Sequence, residues 1–223
     1  MSRSPRRIPD ATVARLPIYH RGLQELLRAR HRTVSSEELA DLVGVNAAKV
    51  RKDLSYLGSY GTRGVGYDVE NLVVEIAREL GLSENWAVVI VGIGNLGRAL
   101  ASYSGFSDRG FRMVALLDAD PAKAGSMVGP LPIRPTSELP AIVASEDVAI
   151  GIIATPGSAA QAVADQMVRA GIRSILNFSP GTLIVPDDVA VRGVDLAVEL
   201  QVLSYYQHHR ADSEPSVLGA ART

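Results

Sequence analysis

The chain has 223 residues, 47% apolar and 21% charged, enough for a packed core, and its lack of cysteine excludes disulfides, thiolate metal sites and cysteine nucleophiles. No apolar run approaches the ~20 residues of a membrane span, and the basic start MSRSPRRIPD leads into no apolar stretch, so a cytoplasmic protein without a signal peptide is expected. The net charge of −1 conceals a split: residues 1–68 hold 12 of the 23 Lys and Arg but only 7 of the 24 Asp and Glu, so the first third is expected to meet an anion.

Residues 11–30 place Leu16, Tyr19, Leu23, Leu26 and Leu27 at spacings of three and four, which predicts a helix. Pro17 predicts a break or kink, and Gly22 weakens the pattern. TVSSEELADLVG offers Ser35 or Ser36 as N-cap, acids in the first turn and Gly44 as terminator. Asn46 then caps a third helix whose apolar face is Val50, Leu54 and Leu57 and which is expected to end at Gly58. Three short helices with a tight turn before the last form a helix-turn-helix pattern. The other face of that last helix carries Lys49, Arg51, Lys52, Ser55 and Tyr56, the side-chain types that phosphates and base edges require. GSYGTRGVGYDV follows, with Arg63 and Gly64 at its centre, and predicts a two-stranded wing suited to a minor groove.

A helix over 69–81 closes a first domain, 1–82. Beyond it, strands are expected at 86–91, 111–117, 147–154, 173–178 and 189–192, with helices at 95–103, 137–145 and 157–170. That alternation predicts a doubly wound parallel sheet, an α/β domain over 83–193. Its first corner is Gly92-Ile93-Gly94-Asn95-Leu96-Gly97, a G-x-G-x-x-G between strand and helix. Gly92 would make the turn, Gly94 would admit a pyrophosphate with no room for a methyl, and Gly97 would let helix pack on strand. Asp118, 21 positions after Gly97, stands where a ribose-binding acid is expected, and no arginine follows at once, which favours NAD over NADP. Residues 194–206 form a helix too apolar to stand in water, and the last residues of the 194–223 segment read as a disordered tail.

No catalytic constellation accompanies the corner. His20, His31, His208 and His209 all lie outside the nucleotide domain, and no zinc spacing, G-x-S-x-G or HExxH occurs. A protein that binds NAD(H) without turning it over is the expectation. An NAD-dependent oxidoreductase with an accessory N-terminal domain is the alternative, and a CoA- or nucleotide-binding scaffold a third.

VRKDLSYLGSYGTRGVGYDV (50–69), VVIVGIGNLGRAL (88–100), LLDADP (116–121), IATP (153–156), SILNFSP (174–180) and VDLAVELQVLSYY (194–206) together resemble the redox-sensing transcriptional repressor family Rex, from about Ile8 to Tyr206. The resemblance implies a homodimer with an N-terminal winged helix, a C-terminal Rossmann domain and a domain-swapped final helix. It implies binding to double-stranded operator DNA, an inverted repeat, with release by NADH and poor competition by NAD⁺. By the same resemblance Thr155 and Pro156 lie on the nicotinamide side, and Arg21, Tyr103 and Asp195 couple nucleotide state to domain closure. Pro17, and Leu196 after Asp195, depart from the family pattern.

Overall fold

Two helices open the computed structural model, which describes residues 8–59 and 61–211: a single turn, α1 (Asp10–Val13), and the longer α2 (Leu16–Arg28). The break falls at Ala14 and Arg15, just before Pro17. The proline occupies the first turn of α2, where its missing N–H leaves no hydrogen bond unmade. Gly22 is a packing residue: a Cβ there would lie 2.9 Å from Val43 Cγ1, so its bareness lets α2 meet the next helix. After β1 (Thr33–Val34), α3 (Ser36–Val43) begins with a reciprocal capping box, Ser35 with Glu38, and stops at Gly44 in the left-handed conformation. Asn46 accepts from the Ala48 amide and starts α4 (Ala47–Tyr56), which ends before Gly58 is reached.

The wing differs from the ribbon expected within 58–69. β2 (Tyr67–Asp68) pairs antiparallel with β1, and among the described residues one isolated bridge, Thr62 with Gly66, closes the tip. The partner strand thus comes from the segment before the helix-turn-helix, a pairing no local turn signal announces. Asp68 caps α5 (Val69–Glu79). Leu16, Tyr19, Leu23, Leu39, Val50, Leu54, Leu72 and Ile76 form one core, with at most 1% of each exposed. Burial of Val50 and Leu54 contributes about 1.5–3 kcal/mol each to holding α4 in place.

The chain divides between Asn85 and Trp86 into two compact units. The second contains β3 (Trp86–Val91), α6 (Asn95–Ala101), β4 (Phe111–Asp118), β5 (Met127–Val128), β6 (Leu131–Pro135), α7 (Leu139–Glu146), β7 (Val148–Ile153), α8 (Gly157–Ala170), β8 (Ser174–Asn177), β9 (Ala190–Gly193) and α9 (Leu196–Ala211). The sheet order is β5-β6-β4-β3-β7-β8-β9, parallel throughout except at β5–β6. Without β5 this is the Rossmann order 3-2-1-4-5-6. β5 and β6 carry no expectation from the sequence, because Pro132 and Pro135 interrupt the alternation that marks a strand. Successive residues of β3 serve opposite faces: Val89 and Val91 pack with α7 and α8, Val88 and Ile90 with Ile93 and Ile133.

The connection from β8 to β9 contains no helix, and one flank of the sheet there is open. It forms an apolar pocket of about 340 Å³ lined by Val88, Phe106, Phe111, Ile150 and Leu176 among others. Every large apolar side chain of α9 is exposed as well, Leu196, Leu200 and Leu203 by more than 60%. Among the described residues no helix is long and apolar enough to cross a membrane. The tail expected at the C-terminus lies outside the described residues beyond Ala211.

Candidate functional site

In the first unit, α3, the turn through Gly44 and α4 form the helix-turn-helix. Lys49, Arg51 and Lys52 are exposed on α4, while Ser55 and Tyr56 are half-buried. The Ser55 hydroxyl donates to the Lys52 carbonyl at 2.6 Å, so its proton is committed to its own helix rather than offered outward. Arg51 is not a free cation either: Nη1 donates to Glu37 Oε1 at 2.7 Å and to Ser36 Oγ at 2.9 Å. Lys49 and Lys52 make no ion pair among the described residues. The wing tip, Thr62 to Gly66, exposes Arg63, Gly64 and Val65.

The inner face of α4 holds the group that the sequence reading missed. Asp53, 1% exposed, accepts from Thr12 Oγ1 at 2.8 Å, Tyr19 Oη at 2.8 Å, and Arg15 Nε and Nη2 at 2.6 and 2.9 Å. Four donors fill the four lone-pair sites of a carboxylate. Burial raises the Asp53 pKa, but the bonds from Arg15, Tyr19 and Thr12 outweigh it and hold the carboxyl below the usual carboxylate range. Burial first, then Asp53, pushes the Tyr19 phenol up. The spacing of Asp53 between Val50 and Leu54 puts it on the apolar stripe, a signal that an acid there needs buried partners.

In the second unit the glycine corner joins β3 to α6, at the carboxyl ends of the strands where the order reverses between β3 and β7. Gly92 has φ +99°, and a Cβ on it would lie 2.7 Å from the Ala154 carbonyl; a Cβ on Gly97 would lie 2.0 Å from Gly92 O. Both glycines are therefore required by the protein itself. Gly94 is not: nothing lies within 4 Å of where its Cβ would be, so the crowding expected there has no source in the chain. That open side and the uncapped amides of Asn95, Leu96 and Gly97 leave room and donors for a pyrophosphate.

Asp118 ends β4, and both its oxygens are already engaged. Oδ2 accepts from the Ile93 amide at 2.7 Å and Lys123 Nζ at 2.8 Å, and Oδ1 from the Asp120 amide at 2.9 Å. One lone-pair site remains, so one ribose hydroxyl rather than two can donate to this carboxylate. Burial raises its pKa, and Lys123 and the amides of Asp120 and Ile93 more than offset that, so it stays ionised. Lys123 places a cation at this edge, where the sequence has no arginine directly after Asp118. It lies five residues on, brought back by the turn at Pro121–Lys123.

Thr155 and Pro156 follow β7, where Pro156 precedes the first turn of α8. Ser179 Oγ donates to the Thr155 carbonyl at 2.6 Å, and buried Asn177 accepts from the Ser179 amide, tying the ends of β7 and β8 together. None of these groups carries charge. Tyr103, 55% exposed, stacks edge-on against Phe106 with ring centroids 5.2 Å apart. Arg21 is exposed on α2. Asp195 accepts from the Ala197 and Val198 amides at the start of α9, so in this structure it is a helix cap. The described residues hold no cluster of three His, Asp or Glu able to bind a metal.

Residues 7–55 match the family model "Putative DNA-binding protein N-terminus", and residues 83–181 match "CoA binding domain". Relatives named redox-sensing transcriptional repressor Rex include that of Streptomyces avermitilis, 60% identical over 96% of this chain and 85% of its own, and that of Pelotomaculum thermopropionicum, 50% identical over 89% and 93%. Among solved structures, RSP, described as a Rex-family repressor, is 37% identical with a TM-score of 0.84, covering 92% of this chain and 95% of its own. RSP has also been solved with β-NAD⁺ and operator DNA (TM-score 0.85) and with β-NADH (0.82).

Proposed function

The chain belongs to the Rex family of redox-sensing transcriptional repressors, and from that premise we propose that its first unit reads operator DNA while its second senses NADH against NAD⁺ in the cytoplasm. The observation that carries the reading is the union in one chain of a helix-turn-helix with a basic outer face and a glycine corner at a Rossmann switch point. RSP binds the same two ligand classes in its solved complexes. On this reading Lys49 and Lys52 take phosphates, Arg51 and Tyr56 face the major groove, and Arg63 with Gly64 enters the minor groove.

The sensor is built from what each group can hold. The corner amides meet the pyrophosphate, and the lone pair left on Asp118 takes one adenine-ribose hydroxyl. Ile153, Thr155 and Pro156, with neutral Asn177 and Ser179 behind them, offer the nicotinamide no counter-charge, so a cationic ring is disfavoured there relative to the neutral reduced ring. No histidine stands on the elements around the corner to move a proton, which supports a sensor over an oxidoreductase.

The exposed apolar side of α9 supports a homodimer in which the helix is exchanged between subunits, since an unpaired helix of this kind costs solvation all along its length. Two α4 helices would then address the two halves of an inverted repeat. Asp195 would leave its cap for Arg21 in the DNA-bound form and for Tyr103 in the NADH form. Operator binding titrated with NADH at fixed NAD⁺ tests the whole: a duplex retained at saturating NADH overturns the reading. Tyr103→Phe separates the switch from the sensor, since it should bind NADH within an order of magnitude of wild type yet release DNA poorly.

A further inference from the structure

Among the described residues the Arg51 guanidinium is gripped at one end only. Nη1 spends its two protons on Glu37 Oε1 and Ser36 Oγ, and the Ser36 hydroxyl in turn donates to Glu37 Oε2 at 3.0 Å. A guanidinium has five N–H donors, so Nε–H and the two protons of Nη2 remain, and Nε–H with the nearer Nη2 proton lies along one edge. That edge is the fork that matches O6 and N7 of guanine. The grip is anchored: Ser36 is buried in the first turn of α3, and the Ser35–Glu38 capping box fixes the backbone on which Ser36 and Glu37 sit. Lys49 and Lys52, single-point cations, have no comparable orientation.

We propose that Ser36 and Glu37 are positioning residues that hold Arg51 by one nitrogen so that its free edge reads a guanine in each operator half-site. The first helix of the helix-turn-helix then sets specificity without touching the base. In water the Arg51–Glu37 pair contributes little, with both side chains more than half exposed. Its value lies in the bound state, where a docked duplex excludes water and a pre-aligned fork has less freedom to lose. A carboxylate beside DNA otherwise only repels phosphate, so the two roles predict opposite results when its charge is removed.

This rests on the operator-binding reading, and the test separates the two. Duplexes enriched from a random pool by the full-length wild-type chain supply the operator, and a scrambled duplex of equal composition serves as reference. Glu37→Gln and, independently, Ser36→Ala should lower the operator-to-scrambled affinity ratio about tenfold. Pools enriched by either variant should lose the preference for G at one position per half-site, the same position lost by Arg51→Ala, and Glu37→Gln should lower the ratio no further in the Arg51→Ala background. Equal tightening of both duplexes by Glu37→Gln, with an unchanged enriched sequence, would overturn the clamp and leave operator binding standing. A wild-type chain that enriches no sequence overturns the operator reading, and the clamp with it.

Discussion

Asp53 and Asp118 are both ionised below the usual carboxylate range, both against burial and both through hydrogen bonds, yet they serve opposite ends. Asp53 is closed: four side-chain donors, one from Thr12 on α1, two from Arg15 at the α1–α2 junction and one from Tyr19 on α2, leave nothing over. Asp118 is left one donor short, at a strand end, with a lysine and two amides holding it. A carboxylate that is saturated is architecture, and one with a vacant lone pair can still accept a further donor. The residual valence, rather than the pKa, tells the two apart.

Breaking the closed site should have the larger effect. Asp53→Ala strands the Arg15 charge, the Tyr19 phenol and the Thr12 hydroxyl, and should cost the first unit about 3–5 kcal/mol in denaturant unfolding while NADH affinity is unchanged. Unfolding with equal loss in both units would mean that the two are not separately built. At Asp118 the ranking reverses. Asp118→Asn keeps an oxygen for the Ile93 amide but removes a charge-assisted acceptor, so calorimetry should show NADH binding weakened by about 1.5–3 kcal/mol and operator binding intact. Gly97→Ala approaches the same cradle from the protein side: its Cβ would meet Gly92 O, and displacement of α6 should cost about 1–3 kcal/mol of second-unit stability together with NADH binding.

The smallest effect sharpens the comparison through pH. Because the folded-state pKa of Asp53 is depressed, its contribution is present above the unfolded value of about 3.9 and is lost as pH falls through the folded one. Wild type should lose first-unit stability below about pH 4 more steeply than Asp53→Asn, and parallel acid limbs would deny Asp53 its ionised state.

How much of this was legible beforehand follows from how local each cause is. The cap at Asn46, the stop at Gly44, the corner at Gly92–Gly97 and the α/β alternation are written in neighbouring residues, and each appears where spacing put it. The pairing of β1 with β2 joins segments more than thirty positions apart in sequence. Pro132 and Pro135 hid β6, whose place is decided by Leu116 and Leu117 in the adjoining strand.

What the sequence determined by itself is therefore the order and type of most elements and the family, because those rest on residue identity at short range. Tertiary structure alone decided which functional groups are spoken for. Thr12, Arg15 and Tyr19 close on Asp53 across 34 to 41 positions, Lys123 turns back onto Asp118, and Ser36 and Glu37 take one end of Arg51. A side chain's free valence depends on every neighbour that folding brings within 3 Å, and hydrogen-bond capacity is finite, so what remains for a ligand is known only once the chain has spent the rest.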